Sequence, residues 1–355
     1  MSKIILTGGG TAGHVTPNIA LIPALKEAGF EISYIGSYNG MEKELIQNEK
    51  IPYYGISTGK LRRYLDPKNI TDPFRVIRGL DQSIALMKKL KPDVVFSKGG
   101  FVSVPVMLAA REQRIPAILH ESDMTPGLAN KIAMRGATKV CCNFQETEQY
   151  LPEGKAVVTG TPIRRELMEG RKEAALEFTG LSDKKPILLI IGGSLGSVFV
   201  NNAVRASLDT LLKDFSIIHL CGKGNLSAEC EGTKDYVQYE YISKELPDLF
   251  AAADIIISRA GANAICELLA LRKPNILIPL SKNASRGDQI LNARSFEKQG
   301  FSYCIEEEDV TAETLTSAVT KVFAEKEKYI ANMAKSTGAD SIKTIVDLLQ
   351  EVKKS

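Results

Sequence analysis

The feature that most constrains the fold is an alternation, along the whole chain, of short β-branched runs with longer segments of helical period. This alternation predicts βαβ units, in which parallel strands form a sheet that helices cover on both faces. The predicted strands are residues 4–6, 32–35, 94–97, 117–120, 140–142, 157–159, 187–191, 217–220, 237–239, 255–258, 275–278 and 303–305. The sequence therefore predicts the α/β class.

The two halves of the chain resemble each other. Each opens with an apolar strand that ends in a glycine-rich turn, at residues 8–13 (GGGTAG) and 192–196 (GGSLG). A length of 355 residues suits two such domains. We predict an N-terminal domain at 1–163, a second domain at 164–340, and a C-terminal helix at 341–355 that packs back on the first domain. Ligands of doubly wound sheets bind beyond the carboxyl ends of the strands, so we expect a cleft between two such domains.

Helix boundaries are predicted at both ends of the chain. Thr16 is the expected N-cap of the first long helix, Pro17 its first helical residue, and Gly29 its C-cap. The stretch 312–354 predicts two helices separated near Gly338.

Composition excludes several classes of protein. A net charge of +3 gives no support to nucleic-acid binding. Apolar runs such as 187–191 are far shorter than the ~20 residues that span a bilayer. The N-terminus leads directly into the first predicted strand, so we expect no signal peptide.

The six cysteines show no metal-ligand spacing and are expected to be reduced structural thiols. They stand at positions 141, 142, 221, 230, 266 and 304. No Asp-x-Asp motif occurs, so we expect neither a metal nor another cofactor in the chemistry.

Residues 8–13 fit the G-x-G-x-x-G pattern, whose glycines let the backbone approach a phosphate. A dinucleotide site also needs an acidic residue at the end of the second strand. Residues 34–37 (YIGS) provide none, which disfavours that interpretation. A third glycine-rich turn follows a strand at 99–103 (GGFVS). Three such turns suit a ligand with two phosphates and an acceptor that also carries phosphate.

Of the three histidines, His219 lies within a predicted strand and is expected to be a hydrogen-bonded core residue. His14 lies in the first glycine-rich turn, where an imidazole is a good general base. His120 ends a strand and precedes Glu121 and Asp123. Either carboxylate could orient His14 or contact an acceptor hydroxyl; loop solvation is the alternative.

In the second half, residues 259–267 follow a strand with small side chains at a helix N-terminus, including Ala262 and Asn263. Glu267 lies further into this helix, where a carboxylate can accept both hydroxyls of a ribose. Its alternative role is to interact with the helix dipole. Residues 285–289, which include Gln289, add polar side chains after the next strand.

These motifs together resemble the MurG family, the UDP-N-acetylglucosamine:lipid I N-acetylglucosaminyltransferases. The family's motifs occur in the same order over nearly the whole chain. They match residues 8–17, 98–103, 120–121, 160–164, 192–196, 259–267 and 288–289. The resemblance implies a GT-B glycosyltransferase with two doubly wound Rossmann-like domains facing a cleft, the second domain holding most of the donor.

The resemblance also implies a role for each site residue. His14 and Glu121 would be catalytic. The substrate-binding positions would be Thr11, Ala12, Gly13, Asp123, Arg164, Ser194, Ile242, Ala262, Asn263, Glu267 and Gln289. Among them Arg164 and Ser194 would contact phosphate or donor, the Ile242 backbone the uracil, and Gln289 the sugar. Ala12 stands where the family usually has glycine, and Asp123 where it usually has asparagine.

The implied reaction is inverting transfer of N-acetylglucosamine from UDP-GlcNAc to the 4-hydroxyl of the muramoyl sugar of lipid I, which forms lipid II for peptidoglycan. The implied location is the cytoplasmic face of the cell membrane, with anionic lipid and cell-wall synthesis proteins as partners and no nucleic acid. Two alternatives remain open: transfer to another lipid such as diacylglycerol, and a non-catalytic UDP-sugar-binding regulator.

A membrane-docking segment is expected at 60–65 and 73–80, where basic and apolar side chains alternate. Phe74, Ile77 and Leu80 would enter the lipid surface, while four arginines meet anionic headgroups. These arginines are Arg62, Arg63, Arg75 and Arg78. The alternative is an ordinary amphipathic helix that covers the first sheet.

Overall fold

The computed structural model describes residues 1–59, 68–193, 196–282, 287–336 and 340–353, without the side chains of residues 12 and 68–71. The chain divides into two compact units. The first contains Met1–Arg164 together with Gly338–Ser355, and the second contains Arg165–Thr337. In the described ranges, no helix has both the length and the hydropathy needed to cross a bilayer.

Each unit is built on one parallel sheet. The strands of the first are β1 (Ser2–Thr7), β2 (Phe30–Ser37), β3 (Tyr53–Ile56), β4 (Val94–Ser97), β5 (Ala117–Glu121), β6 (Lys139–Cys142) and β7 (Ala156–Val158). Those of the second are β8 (Ile187–Ile191), β9 (Ser216–Leu220), β10 (Tyr236–Tyr239), β11 (Ile255–Ser258), β12 (Asn275–Leu277) and β13 (Tyr303–Cys304).

The α-helices are numbered in chain order. They are α1 (Thr16–Glu27), α2 (Met41–Asn48), α3 (Lys68–Leu90), α4 (Ser103–Glu112), α5 (Leu128–Ala133), α6 (Lys172–Thr179), α7 (Val198–Ala206), α8 (Leu208–Asp214), α9 (Leu246–Ala252), α10 (Ala262–Ala270), α11 (Asp288–Lys298), α12 (Ala312–Ala324), α13 (Lys326–Ala334) and α14 (Ser341–Val352). Short 3-10 helices lie at Ala12–His14, Met134–Gly136, Gln145–Tyr150, Arg165–Met168, Ala228–Cys230 and Glu307–Asp309.

The strand order of each sheet reverses at one point. The orders are β3-β2-β1-β4-β5-β6-β7 and β10-β9-β8-β11-β12-β13. The reversals fall between β1 and β4 and between β8 and β11, because the chain winds outward in both directions from the first strand of each sheet. Helices leave such a point on opposite faces, and the crevice this opens at the carboxyl edge is the usual ligand site.

The first sheet is buried on both faces, because successive side chains of a strand point to opposite sides. Ile4 and Leu6 of β1 pack in the core beneath α1, α2 and α14, and Ile5 packs in the core on the other face. The last helix, α14, adds Ile345 and Leu349 to the first of these cores. Burial on both faces explains the continuous apolar runs of these parallel strands.

Each predicted strand overlaps an observed one, but β3 was missed in the sequence. It is a four-residue edge strand in which Gly55 interrupts an already weak apolar signal. Thr16 is not an N-cap, because the Ala12–His14 turn leads straight into α1 and leaves Val15 at that position. At the other end of the helix Ala28 is the C-cap, and Gly29, at φ +80°, follows it.

The prediction of two helices over 312–354 is also wrong. The first of them breaks at Glu325 into α12 and α13, so the described residues of the stretch form three helices. Gly338, the predicted point of separation, lies outside the described residues. A one-residue interruption leaves the apolar periodicity almost unchanged, which is why the sequence does not reveal it.

Candidate active site

The reversal point of the first sheet brings two glycine-rich turns together. β1 pairs with β4 up to Thr7 opposite Ser97, so the turns that follow leave the sheet side by side. A Cβ at Gly100 would lie 2.5 Å from the Gly9 carbonyl oxygen and 3.3 Å from Nδ1 of His14, and Gly100 has φ +84°. Only glycine permits this approach, which places His14 at the contact between the turns.

His14 is partly buried and is oriented by its neighbour Thr11, whose Oγ1 lies 2.9 Å from Nδ1. Burial, and then the charge of Lys98, lower the pKa of His14 to about 4. Both effects disfavour the imidazolium ion. At neutral pH this histidine is therefore uncharged, and in the tautomer whose Nδ1 donates to Thr11 the lone pair of Nε2 is available to accept a proton.

Buried polar side chains make hydrogen bonds to the backbone of the first glycine-rich turn. The Glu42 carboxylate accepts hydrogen bonds from the backbone nitrogens of Gly10 (3.4 Å) and Ser37 (3.0 Å). The hydroxyl of Tyr34 donates to the Gly8 carbonyl at 2.8 Å. Glu42 and Tyr34 were not identified from the sequence, because a glutamate in the first turn of a helix is usually exposed.

His120 is completely buried and uses both ring nitrogens in hydrogen bonds. Its Nε2 donates to the Gly160 carbonyl at 2.8 Å, which leaves Nδ1 to accept from Nζ of Lys98 at 2.9 Å. Burial and the Lys98 charge hold the pKa of His120 well below its usual range. His120 is thus a neutral connector between Lys98 and the backbone at Gly160.

The Glu121 carboxylate orders the loop that follows β5. Its Oε1 accepts from the backbone nitrogen of Asp123 at 3.0 Å and its Oε2 from Nδ2 of Asn130 at 2.8 Å. Burial, followed by the charge of Asp123, raises the pKa of Glu121 to about 7. Within the described residues, the His14 ring is hydrogen-bonded to Thr11 and to neither Glu121 nor Asp123.

In the second sheet, the N-terminus of α10 lies at the reversal point, directly after β11. Gly261 is the N-cap, and a Cβ built there would meet no atom of the described residues within 4 Å. Ala262 and Asn263 form the start of the helix, and Glu267 is partly buried further along it. The described residues therefore leave room beside Gly261, and a helix N-terminus is a favourable place for an anionic group.

Arg259, immediately after β11, is buried and connects several loops through its guanidinium. Its guanidinium bonds the Ser197 hydroxyl at 2.7 Å, the Ile278 carbonyl at 3.1 Å and a Glu307 carboxylate oxygen at 2.6 Å. It therefore links the turns that follow β8, β11 and β12. Glu307 was not identified from the sequence, because it lies well beyond any glycine-rich turn.

The remaining predicted site residues lie on the helix α11 and on separate loops. The Gln289 side chain is tied to the loop after β12, because its Oε1 accepts from the Leu280 nitrogen at 3.0 Å. Ile242 is partly buried in the loop after β10, and Arg164 is the last residue of the N-terminal segment of the first unit. The predicted contact at Ser194 lies outside the described residues, as do Ser285 and Arg286.

The prediction that His219 is a hydrogen-bonded core residue is confirmed. His219 is buried and bonds the Tyr236 hydroxyl and Oδ1 of Asn201, each at 3.0 Å. All six cysteines are free, and all except Cys230 are buried. Across the described residues, no cluster of three or more His, Cys, Asp or Glu side chains could hold a metal ion.

Comparison with known proteins gives matches over nearly the whole chain. Residues 4–142 match the glycosyltransferase family 28 N-terminal domain, and residues 187–349 match the C-terminal domain of the same family. A protein of Lachnospira eligens is 64% identical over 99% of both chains, and one of Clostridium botulinum is 56% identical over 100% of both. Each is named as a UDP-N-acetylglucosamine--N-acetylmuramyl-(pentapeptide) pyrophosphoryl-undecaprenol N-acetylglucosamine transferase.

Among solved structures, MurG of Acinetobacter baumannii is similar with a TM-score of 0.79 and 26% identity, over 99% of this chain and 100% of that one. The glycotransferase of kitacinnamycin shares the fold with a TM-score of 0.75 at 15% identity, over 99% of each chain. The predicted GT-B class, with two Rossmann-like sheets, is thereby confirmed. By the identity and coverage of its relatives, the chain belongs to glycosyltransferase family 28 and, within it, to the MurG family.

Proposed function

We propose that this chain transfers N-acetylglucosamine from UDP-GlcNAc to the 4-hydroxyl of the muramoyl sugar of lipid I, with inversion, and so forms lipid II for peptidoglycan. The observation that carries the proposal is identity of 56–64%, over essentially full length, to proteins named for this transfer. Each of the two sheets has turns of small residues at its reversal point, where the backbone can approach a phosphate. Two such sheets suit two substrates that each carry phosphate.

In the proposed reaction His14 removes the proton of the acceptor hydroxyl. The oxygen attacks the anomeric carbon of the donor sugar, and UDP leaves from the opposite face. A neutral imidazole held by Thr11 at a glycine-rich turn supports this role, because a base must be unprotonated and fixed in direction. Thr11, Ala12 and Gly13 are the proposed substrate contacts of the same turn.

Glu121 is the second residue assigned to the catalytic machinery, and its proposed role is that of a positioning residue that holds the loop of Asp123. Both of its carboxylate oxygens accept hydrogen bonds inside the protein, one of them from the Asp123 backbone. Asp123 itself is partly buried, and we propose that its side chain contacts the sugar. A carboxylate accepts hydrogen bonds from sugar hydroxyls but cannot donate them.

The donor is assigned mainly to the second unit. Glu267 would accept the ribose hydroxyls, the Ile242 backbone would contact uracil, and Gln289 the sugar. The N-terminus of α10, with Ala262 and Asn263, and the guanidinium of Arg164 would stabilise the departing diphosphate. The open space at Gly261 supports this assignment.

We infer that the protein works as a peripheral protein on the cytoplasmic face of the membrane, since the proposed acceptor is lipid-linked. At the start of α3, Phe74 and Ile77 are 70% and 58% exposed, next to the exposed arginines Arg75 and Arg78. Leu80 does not belong to this surface, contrary to the sequence prediction, because it packs against the core. Arg62 and Arg63 lie outside the described residues.

The test is release of UDP from UDP-GlcNAc by the purified protein with lipid I, with diacylglycerol, or without acceptor. We expect release with lipid I alone, together with a disaccharide product in the β configuration. Release with diacylglycerol alone would assign another acceptor. Tight UDP binding without release in any arm would instead indicate a binding protein.

The donor site has a separate test. Glu267→Ala should weaken UDP binding in calorimetry by roughly 1.5–3 kcal/mol, the cost of losing hydrogen bonds to a charged group. Glu177→Ala, an exposed glutamate of α6, serves as the control and should leave the affinity unchanged. Equal affinity for UDP in the Glu267 variant and the wild type would limit this carboxylate to supporting α10.

A further inference from the structure

A pocket of about 600 Å³ lies at the carboxyl edge of the first sheet. Segments that follow the four neighbouring strands β3, β2, β1 and β4 line it, and they include Gly10, Tyr38, Asn39, Ser57, Thr58 and Phe101. Doubly wound sheets bind ligands at this edge, and pockets for small molecules measure about 300–1,000 Å³. The pocket therefore has the place and the size of a ligand site.

The pocket borders the turn that carries the proposed base. Gly10 and Phe101 form its wall there, and a Cβ at Gly10 would lie 2.5 Å from Cε1 of Phe101. Gly10 directly precedes Thr11, whose hydroxyl bonds the His14 ring. Phe101 directly follows Gly100, at which a Cβ would lie 3.3 Å from Nδ1 of His14. A ligand with one group at His14 can therefore place a neighbouring group in the pocket.

Tyr38 is an exposed aromatic residue that the protein holds in place at this pocket. Its ring lies against the edge strand β3, where a Cβ at Gly55 would be 2.6 Å from Cδ1. Nε2 of Gln82 donates to the Tyr38 hydroxyl at 2.8 Å, and Oε1 of the same amide accepts from the Ser57 nitrogen at 2.7 Å. Tyr38 is nevertheless 49% exposed. Ordering an exposed side chain costs conformational entropy, so its fixed position suits contact with a ligand.

The chemistry of the lining suits a peptide better than a diphosphate. Ser57, Thr58 and Asn39 have side chains that both donate and accept hydrogen bonds, as the amides of a peptide require. Among the described lining residues the charges are one cation, Arg75, and one carboxylate, Glu42, which is fully buried. A diphosphate only accepts hydrogen bonds and carries several negative charges, which this nearly neutral lining does not match.

The proposed acceptor carries a peptide next to its reacting group. A muramoyl sugar bears its peptide through a lactyl ether, on the ring carbon adjacent to the one that carries the 4-hydroxyl. With the 4-hydroxyl at His14, the start of the peptide lies near the wall formed by Gly10 and Phe101. A peptide extends by about 3.5 Å per residue, so the residues nearest the sugar are the ones that fit a pocket at this turn.

We propose that this pocket binds the first residues of the acceptor's peptide stem, with Tyr38 and Asn39 as contacts. The inference rests on the proposed function, because the 4-hydroxyl at His14 is what places the stem. It adds a source of specificity to that function. A muramoyl lipid that carries a peptide fills the pocket, and a lipid-linked sugar without one does not.

The first test compares two short-chain muramoyl diphosphate acceptors, one with the pentapeptide and one with the lactyl group alone. We expect wild type to have the higher kcat/KM for the peptide acceptor. Tyr38→Ala should lower the ratio of the two kcat/KM values about tenfold, the effect of losing an aromatic contact and a hydrogen bond. Tyr150→Ala removes an equally exposed tyrosine that lies outside this pocket, and should keep the wild-type ratio.

The second test needs no transfer. The chain contains no tryptophan, so Tyr38→Trp places a single indole at the pocket. A muramoyl pentapeptide without diphosphate or lipid should change its fluorescence in a saturable way. Tyr150→Trp is the matched control and should not respond to the same ligand.

Equal use of the two acceptors by wild type, or an unchanged ratio in Tyr38→Ala, would overturn the proposal. So would a Tyr38→Trp signal that responds no more than that of Tyr150→Trp. A response to inorganic diphosphate in place of the muramoyl pentapeptide would also overturn it, and would identify a phosphate site. Absence of transfer to any muramoyl acceptor would instead refute the proposed function, and the fluorescence alone would then decide whether the pocket binds the peptide.

Discussion

The imidazole of His14 shows how one residue acquires its chemistry from its surroundings. Thr11 fixes the ring, while burial and the Lys98 charge keep it neutral, with a pKa of about 4. His120, of the same residue type, is bonded through both nitrogens and has no lone pair left for substrate. Two histidines at one sheet edge thus have different roles, because their hydrogen-bond partners differ.

His14→Ala should lower turnover by about 10²–10⁴-fold, the usual contribution of a general base. The comparison is made under saturating UDP-GlcNAc and lipid I. UDP affinity in calorimetry is the control and should stay near wild type, because the donor is assigned to the second unit. Turnover within threefold of wild type would remove His14 from the role of base.

Glu121 gives a second residue-scale prediction, on stability. Burial and Asp123 raise its pKa from 4.5 to about 7, so the folded chain holds this proton more tightly than the unfolded chain. The stabilisation is complete below about pH 4.5 and is lost as pH rises to about 7. At 1.36 kcal/mol per unit, the full change is about 3 kcal/mol.

We therefore expect Glu121→Gln, which cannot ionise, to gain stability relative to wild type between pH 4.5 and pH 8. Urea unfolding of both proteins at each pH gives the comparison, in which the other titrating groups cancel. A difference between the two proteins that is independent of pH would mean that Glu121 ionises normally in the folded state.

At the scale of elements, the two sheets have the same arrangement of turns at their reversal points. Each places two glycine-containing turns after adjacent strands at its reversal point, because those strands pair in parallel and end at one level. The helix α14 completes the first unit although it comes last in the chain. Its Leu349 is fully buried, and Nε2 of Gln350 donates to the Ala28 carbonyl at 2.9 Å.

Leu349→Ala should lower the stability of the first unit by about 2–5 kcal/mol, the range for a buried leucine truncated in a packed core. Native-state hydrogen exchange at the amides of β1 is the measurement, since a chain of two units need not unfold in one step. Glu351→Ala, an exposed residue of the same helix, should change the stability by less than about 0.5 kcal/mol. Unchanged protection of β1 in Leu349→Ala would mean that α14 does not stabilise this sheet.

At the scale of the whole molecule, a nearly neutral chain must gather charge locally to bind an anionic surface. The start of α3 does so, with Arg75 and Arg78 beside the exposed Phe74 and Ile77. Basic and apolar side chains that share a surface can bind headgroups and enter the lipid boundary together. The net charge of +3 is therefore no measure of membrane affinity.

The double variant Arg75→Ser/Arg78→Ser should lose about 2 kcal/mol of affinity for anionic vesicles, roughly thirtyfold, at about 1 kcal/mol per cation. Vesicle co-sedimentation measures this loss. Lys88→Ser/Lys89→Ser removes two exposed cations from the other end of α3 and should bind almost as wild type does. Equal binding by the arginine variant and the wild type would exclude the start of α3 as the docking surface.

The sequence by itself determined the features that depend on neighbouring residues. Strand positions, the glycine-rich turns and the placement of His14 in one of them follow from local periodicity and from the backbone freedom of glycine. The family resemblance, too, rests on motifs that are short and contiguous. The edge strand β3 was missed because four residues around Gly55 carry too little of this local signal.

Only the tertiary structure decided which side chains meet. From the sequence alone, Lys98, Glu42 and Glu307 would each be expected to be exposed. In the structure each makes a hydrogen bond to a residue at the carboxyl edge of its sheet. Leu80 faces the core, although its place in a basic segment suggested lipid. Burial and charge–charge distance depend on strand order, which brings β4 beside β1 across a long stretch of chain, and no local pattern records that order.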